Sequence, residues 1–256
     1  MLPHCNIEIE IVRSGAAREA SDEIDLAQPF HQVIVRGDRR LGRLGAPLGD
    51  ALREHVDPRL GRLTFGAVVA SLNAHIDDML EQPILIGHSV GGLAVQKLVN
   101  DGYGRAGVAI SPAPPLGVLS AAPDFVKANW PHLDPFAGDR PIVMTKERFH
   151  YTFCNTMTRD ESDAAYDLYV VPESRNVPRT TLTRQALVDF SRDHVPLLLM
   201  AGDSDHLTPA AMIRRNARRY ELMVEVREFA DRSHFLCNQD GWEEVADAAF
   251  DFASAI

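Results

Sequence analysis

The chain has 256 residues, 45% of them hydrophobic, and a formal net charge of −10. That is enough apolar material for one sizeable core, and the acidic balance argues against nucleic acid or an anionic membrane as partner, since both attract basic patches. No apolar run reaches the roughly eighteen residues of a membrane-spanning helix, and no basic segment followed by an apolar stretch marks a signal peptide.

In chain order, residues 7–12 alternate Ile and Val with Glu, the pattern of a half-exposed edge strand. Residues 30–35 read as the next strand. From Arg36 to Arg62 the chain is rich in Arg, Gly and Leu without periodicity, and residues 1–57 read as an atypical N-terminal part, truncated, divergent or altered in frame. Residues 63–80 form an amphipathic helix whose stripe is Phe65, Val68, Val69, Leu72, Ile76 and Leu80. The apolar run 83–86 is a buried strand, 92–99 a helix and 106–110 a strand. Between 112 and 192 the βα rhythm stops, and aromatic residues with Pro interruptions point to a mainly helical cap insertion. Regular structure returns with the fully apolar strand 195–201, helix 210–220, strand 223–229 and helix 240–252. Arg214, Arg215, Arg218 and Arg219 make a basic helix face expected to be solvated. The expected architecture is one α/β domain over 1–256, a mostly parallel doubly wound sheet with the cap at 112–192.

Gly87-His88-Ser89-Val90-Gly91 joins a strand to a helix. A serine at that sharp turn is lifted above the sheet, with the positive end of the helix aimed at it. Asp203 and Asp205 follow the next long strand, and His234 follows the last one. Serine, acid and histidine at strand C-terminal ends are the parts of nucleophilic catalysis. The histidine takes the serine proton, and the acid fixes the imidazole tautomer. Either aspartate is a candidate acid. Asp205 is favoured because it lies deeper in its loop, and the other is expected to cap the turn. The Val90 N–H, directly after the serine, is the candidate oxyanion donor. His88, Phe149, Tyr151 and Phe153 are the candidate substrate-binding residues of an apolar pocket. No metal or organic cofactor is called for. Cys5, Cys154 and Cys237 are odd in number and widely spaced, which fits reduced thiols in the cytoplasm.

The strings GHSVGGLAVQKL, AGDSDHLTP and RSHFLCNQDGWEEVADAAFDFA resemble the α/β-hydrolase superfamily, in particular bacterial esterase/lipase-like members with a GHSxGG elbow. The resemblance covers about residues 58–256. It implies Ser89 as nucleophile, Asp205 as acid (Gly202, Asp205 and Pro209 match G-x-x-D-x-x-x-P) and His234 as base. It implies a serine hydrolase acting on a small apolar carboxylic ester through an acyl-enzyme, with a small-molecule ester as its partner. The same scaffold also carries cofactor-free haloperoxidase, perhydrolase and other acyl-transfer chemistry. Family members have an apolar strand ending in His-Gly, whose following loop donates a second oxyanion N–H. Nothing near the N-terminus matches it, which leaves a catalytically weak or inactive binding protein as a further alternative. The loops near Gly15 and Gly37 are the candidate sources of that donor.

Overall fold

The computed structural model describes residues 9–12, 33–36, 53–54 and 56–256, apart from 119 and 134–137. Most of residues 1–57, with Cys5, Gly15 and Gly37, therefore lies outside the described residues. The described strands form one sheet of six in the order β2-β1-β3-β4-β5-β6. They are β1 (Ile9–Val12), β2 (Val33–Arg36), β3 (Ile84–His88), β4 (Ala106–Ile110), β5 (Leu197–Gly202) and β6 (Glu225–Phe229). Strands β3 to β6 are mutually parallel. Strand β1 runs parallel to β2 but antiparallel to β3.

The runs 84–88, 106–110 and 197–202 are buried almost without interruption, because both faces of a parallel sheet are covered. Side-chain alternation divides the core in two. Leu85, Ala109, Leu197 and Leu199 pack with helices α1 (Phe65–Asp77), α2 (Val90–Asn100) and α7 (Ala210–Ala217). Val108, Ile110, Leu198 and Met200 pack on the opposite face with Val245 and Ala249 of α8 (Trp242–Ser254). Thr64 caps α1, its hydroxyl accepting from Ala67 N–H at 3.2 Å. That helix ends at Asp77, so Leu80 does not continue the apolar stripe and is fully exposed, at 104%.

Between β4 and β5 lie the helices α3 (Pro123–Leu133), α4 (Lys146–Thr152), α5 (Arg159–Tyr169) and α6 (Asn176–Thr180). Thr158 and Glu161 close a reciprocal cap on α5, satisfying two donors that a helix start leaves unpaired. Met144, Phe149, Cys154, Ala165 and Val170 form a third apolar cluster, and Phe235 completes it from the loop after β6. Cys154 is a free thiol, which burial pushes up to about 12. No described helix is long and apolar enough to cross a membrane.

One expectation for the N-terminal strands needs correction. Strand β1 is not at the edge: it lies between β2 and β3. A period-2 pattern reports which faces a strand shows, not how many strands flank it. The pairing also sets their direction. Val12 pairs with Ile84 and Arg36 pairs with Val12, so β1 and β2 both end at the opposite end of β3 from Ser89.

Candidate active site

Strand β3 delivers Ser89 into a sharp turn, with φ 54° and ψ −117°. A non-glycine residue rarely adopts that conformation, and it survives only where the surroundings hold it. The Ser89 N–H donates to Ile110 O at 2.9 Å. Its carbonyl accepts from Ala113 N–H at 2.8 Å and Leu93 N–H at 3.1 Å. A Cβ on Gly87 would collide with the Gly91 carbonyl, and one on Gly92 would press on Pro112 and the Gly87 carbonyl. The turn therefore needs glycine at those positions. Ser89 is the N-cap of α2 yet its hydroxyl makes no capping bond, which leaves it available for other work. Val90 is the first residue of α2, where a helix leaves its N–H without an intrahelical acceptor.

Strand β5 ends at Gly202 in the same layer. A Cβ there would meet the Arg232 carbonyl, so glycine lets the acid-bearing loop and the loop after β6 touch backbone to backbone. Ser204 N–H donates to Arg232 O at 3.1 Å. Asp205 is 3% exposed. Its Oδ1 accepts from Leu207 N–H at 2.7 Å and Thr208 N–H at 2.8 Å. Its Oδ2 lies 2.7 Å from His234 Nδ1 and 2.7 Å from Thr208 Oγ1. Burial alone would raise the Asp205 carboxyl, but the neighbouring His234 and these donors outweigh it and hold it below the ordinary carboxylate value. Asp203 is exposed, and among the described residues its side chain bonds only Ser204 Oγ, at 2.9 Å. The expected split, one aspartate for the turn and one for the histidine, is not what the structure shows. Both tasks fall on Asp205, one to each oxygen.

His234 is completely buried. Its Nδ1 faces Asp205, while Nε2 has no hydrogen-bond partner among the described residues. An unsatisfied buried nitrogen costs stability and so calls for a reason. Ser233 and Gln239 fix this loop: the Ser233 N–H and hydroxyl donate to Gln239 Oε1 at 3.0 and 2.7 Å.

The other sequence candidates separate by what they touch. His88 is 5% exposed, and its Nε2 lies 2.9 Å from the His234 carbonyl, with the two rings 4.6 Å apart. Burial first, then the nearby His234, pushes its pKa down to about 3, so His88 is neutral and donates this bond. It holds the backbone of His234, which is a different task from lining a substrate pocket. Phe149 is 4% exposed inside the third cluster, stacked on Phe153 and edge-on to Tyr166 and Phe235. It builds the helical segment's own core. Tyr151 donates to Asp124 Oδ1 at 2.6 Å and carries Lys127 over its ring. Phe153 alone of the three aromatics meets His234, edge to face at 4.9 Å.

The helical segment is fastened to these loops by side chains that sequence reading passed over. Asn155 Nδ2 donates to Ser204 O at 2.8 Å, Asn129 Nδ2 donates to Leu207 O at 3.3 Å, and His206 Nδ1 lies 2.9 Å from Tyr151 O. Only the clustering of polar residues beside the two loops hints at this in the sequence.

No curated protein matches the chain in sequence. Among solved structures it is similar to a monoacylglycerol lipase from Paleococcus ferrophilus, at 19% identity and TM-score 0.52, over 73% of this chain and 74% of that one. It is similar to a pyrethroid hydrolase from Sphingobium faniae JZ-2, at 18% identity and TM-score 0.53, over 75% and 79%. A methylesterase from Arabidopsis gives 11% identity and TM-score 0.53, over 74% and 78%. These likenesses speak to the fold. The profile of the alpha/beta hydrolase family matches residues 27–248, most of the length of the chain, and the chain belongs to that family.

Proposed function

We propose that this chain is a serine hydrolase that cleaves a small apolar carboxylic ester through an acyl-enzyme. Ser89 is the nucleophile, His234 the base and Asp205 the acid. The observation that carries the reading is the buried Asp205–His234 pair, its outer nitrogen unpaired among the described residues, tied through the His88 ring to the strand end that delivers a strained serine. A lipase, a pyrethroid hydrolase and a methylesterase among the similar folds lend general support to ester chemistry.

A serine hydroxyl is a weak nucleophile at neutral pH. His234 Nε2 takes the Ser89 proton as Oγ bonds to the ester carbon, and Asp205 stabilises the resulting imidazolium. The carbonyl oxygen becomes an oxyanion facing the Val90 N–H and the positive end of α2. Collapse breaks the bond to the alcohol, which leaves with the proton from His234. Water, deprotonated by His234, then attacks the acyl-Ser89 ester and frees the acid and the serine. Phe153 against His234 excludes water and offers an apolar wall to the substrate.

A second reading, a protein of weak turnover, draws on the direction of β1 and β2. Val12 and Arg36 lie level with Ile84, roughly 16 Å along the sheet from Ser89 at the usual rise of a strand. In this reading no second backbone N–H joins that of Val90 at the oxyanion. Losing one such donor costs on the order of a hundred- to a thousandfold in kcat.

Turnover of p-nitrophenyl acetate, with fluorophosphonate labelling, tests both. Ser89→Ala should abolish labelling and cut turnover at least about a thousandfold. Labelling that survives in Ser89→Ala refutes the nucleophile. Efficient labelling with slow turnover favours the second reading.

A further inference from the structure

Thr208 lies at a junction that the proposed chemistry does not use. It is 2% exposed. Its hydroxyl lies 2.7 Å from Asp205 Oδ2, 3.2 Å from His234 Nδ1 and 3.1 Å from the Ser111 carbonyl. A hydroxyl has one proton to give. The ionised carboxylate is the nearer and stronger acceptor, so the proton goes to Asp205, onto the same oxygen that faces His234.

Ser111, directly after β4, lies on the other side of the Thr208 hydroxyl. It is completely buried and has φ 39°, a left-handed conformation that a serine adopts only under constraint. Its N–H donates to Met200 O at 2.8 Å, and its own hydroxyl has no partner among the described residues. The strained backbone is therefore not repaid by a side-chain bond. The Ser111 carbonyl lies 3.1 Å from the Thr208 hydroxyl, but with that proton given to Asp205 it accepts no bond from it. The threonine is held by its N–H on Asp205 Oδ1 and by its hydroxyl on Oδ2.

We propose that Thr208 is a positioning residue for catalysis: its hydroxyl fixes the Asp205 oxygen that orients His234. The inference rests on the triad reading above. It separates Thr208 from an ordinary turn residue, for which the backbone N–H alone would suffice.

The titratable groups facing His234 among the described residues are Asp205 and His88. His88 stays neutral down to about pH 3, so an acid limb of activity above that reports the His234–Asp205 pair. Removing the Thr208 donor leaves more negative charge on Oδ2, which favours the imidazolium and moves the limb to higher pH.

The test compares wild type, Thr208→Val and Thr208→Ser on p-nitrophenyl acetate across pH 4–9. Thr208→Val should lose about ten- to a hundredfold in kcat, as expected for one hydrogen bond to a charged group. KM should stay within about twofold, and the acid limb should rise. Thr208→Ser, which keeps the hydroxyl, should recover most of kcat and the wild-type limb. A Thr208→Val enzyme with wild-type kcat and profile overturns the proposal, as does a Thr208→Ser enzyme as slow as Thr208→Val. If Thr208→Val does not fold, Thr208→Cys against Thr208→Ser makes the same comparison, because a thiol is a weak donor. If wild type neither turns over ester nor labels, the hydrolase reading has failed on its own. The His234 Nδ1 proton resonance then still decides: a shift in Thr208→Val supports the coupling, and an unchanged resonance overturns it.

Discussion

Lowering the pH from 7 to 5 should destabilise the protein through His88. The ring is buried and neutral, with its pKa pushed from 6.5 down to about 3 by loss of water and then by His234. A histidine in the unfolded chain titrates near 6.5. Because the folded value is depressed, the stabilisation is present in full above the unfolded value. It drains away as pH falls from about 6.5 toward 3, while the unfolded chain binds the proton and the folded one does not. At about 1.4 kcal/mol per pH unit of unequal protonation, the loss between pH 7 and 5 is about 2 kcal/mol. The window ends well above the value of His88 in the fold, so the loss is set by the unfolded imidazole. Carboxylates, which titrate near 4 in the unfolded chain, add little there. Urea unfolding at pH 5, 6 and 7, followed by Trp130 and Trp242 fluorescence, measures it against His88→Gln, whose amide can still donate to the His234 carbonyl. The variant loses some stability at every pH, but its stability should fall by about 2 kcal/mol less than wild type between pH 7 and 5. Parallel pH dependences for the two proteins would refute the argument.

Two further outcomes test the acid and the core. Asp205→Asn should lower kcat on the order of ten thousandfold, the scale seen when a triad acid becomes an amide in serine proteases, whereas Asp203→Asn should change it only a few-fold; the reverse order, read from ester turnover, would move the acid to Asp203. Leu198 is fully buried on the α8 face of the sheet, away from the site, so Leu198→Ala should cost about 2–5 kcal/mol in urea unfolding with kcat of the folded enzyme unchanged.

The sheet from β3 to β6 is legible because buried parallel strands are short, wholly apolar runs between turn residues. Residues 106–110 coincide with the observed strand, and 195–201 and 223–229 are displaced by two residues or less. The helix before the elbow reads two residues too early and three too far, because the apolar period continues to Leu80 after the backbone has stopped at Asp77. The serine and the histidine are legible for the same reason as the strands, since each follows one. The candidate acid is less plain: loop position and the resemblance favour Asp205, but as letters the two aspartates are equivalent. Their difference lies in burial: Asp205 is enclosed and Asp203 faces water. A carboxylate has two oxygens, so one residue can cap the turn and hold the imidazole, which a one-residue, one-task reading does not anticipate.

The pocket residues and the first two strands show where pattern stops carrying information. Phe149, Tyr151 and Phe153 stand at alternate positions on one short helix and its end, and aromatic character alone gives them a common role. Helical geometry separates them: about 200° of rotation lies between positions two apart, so Phe149 enters the segment's core while Tyr151 reaches Asp124. Phe153, four residues from Phe149, returns to the same side, stacks on it and meets His234. For β1 the missing quantity is direction. Alternation is the same read forwards or backwards, so Ile9–Val12 fits beside β3 in either sense. The antiparallel pairing of Ile9 with Gly87 turns the end of β1 away from Ser89, a sense of direction that the order of its residues does not encode.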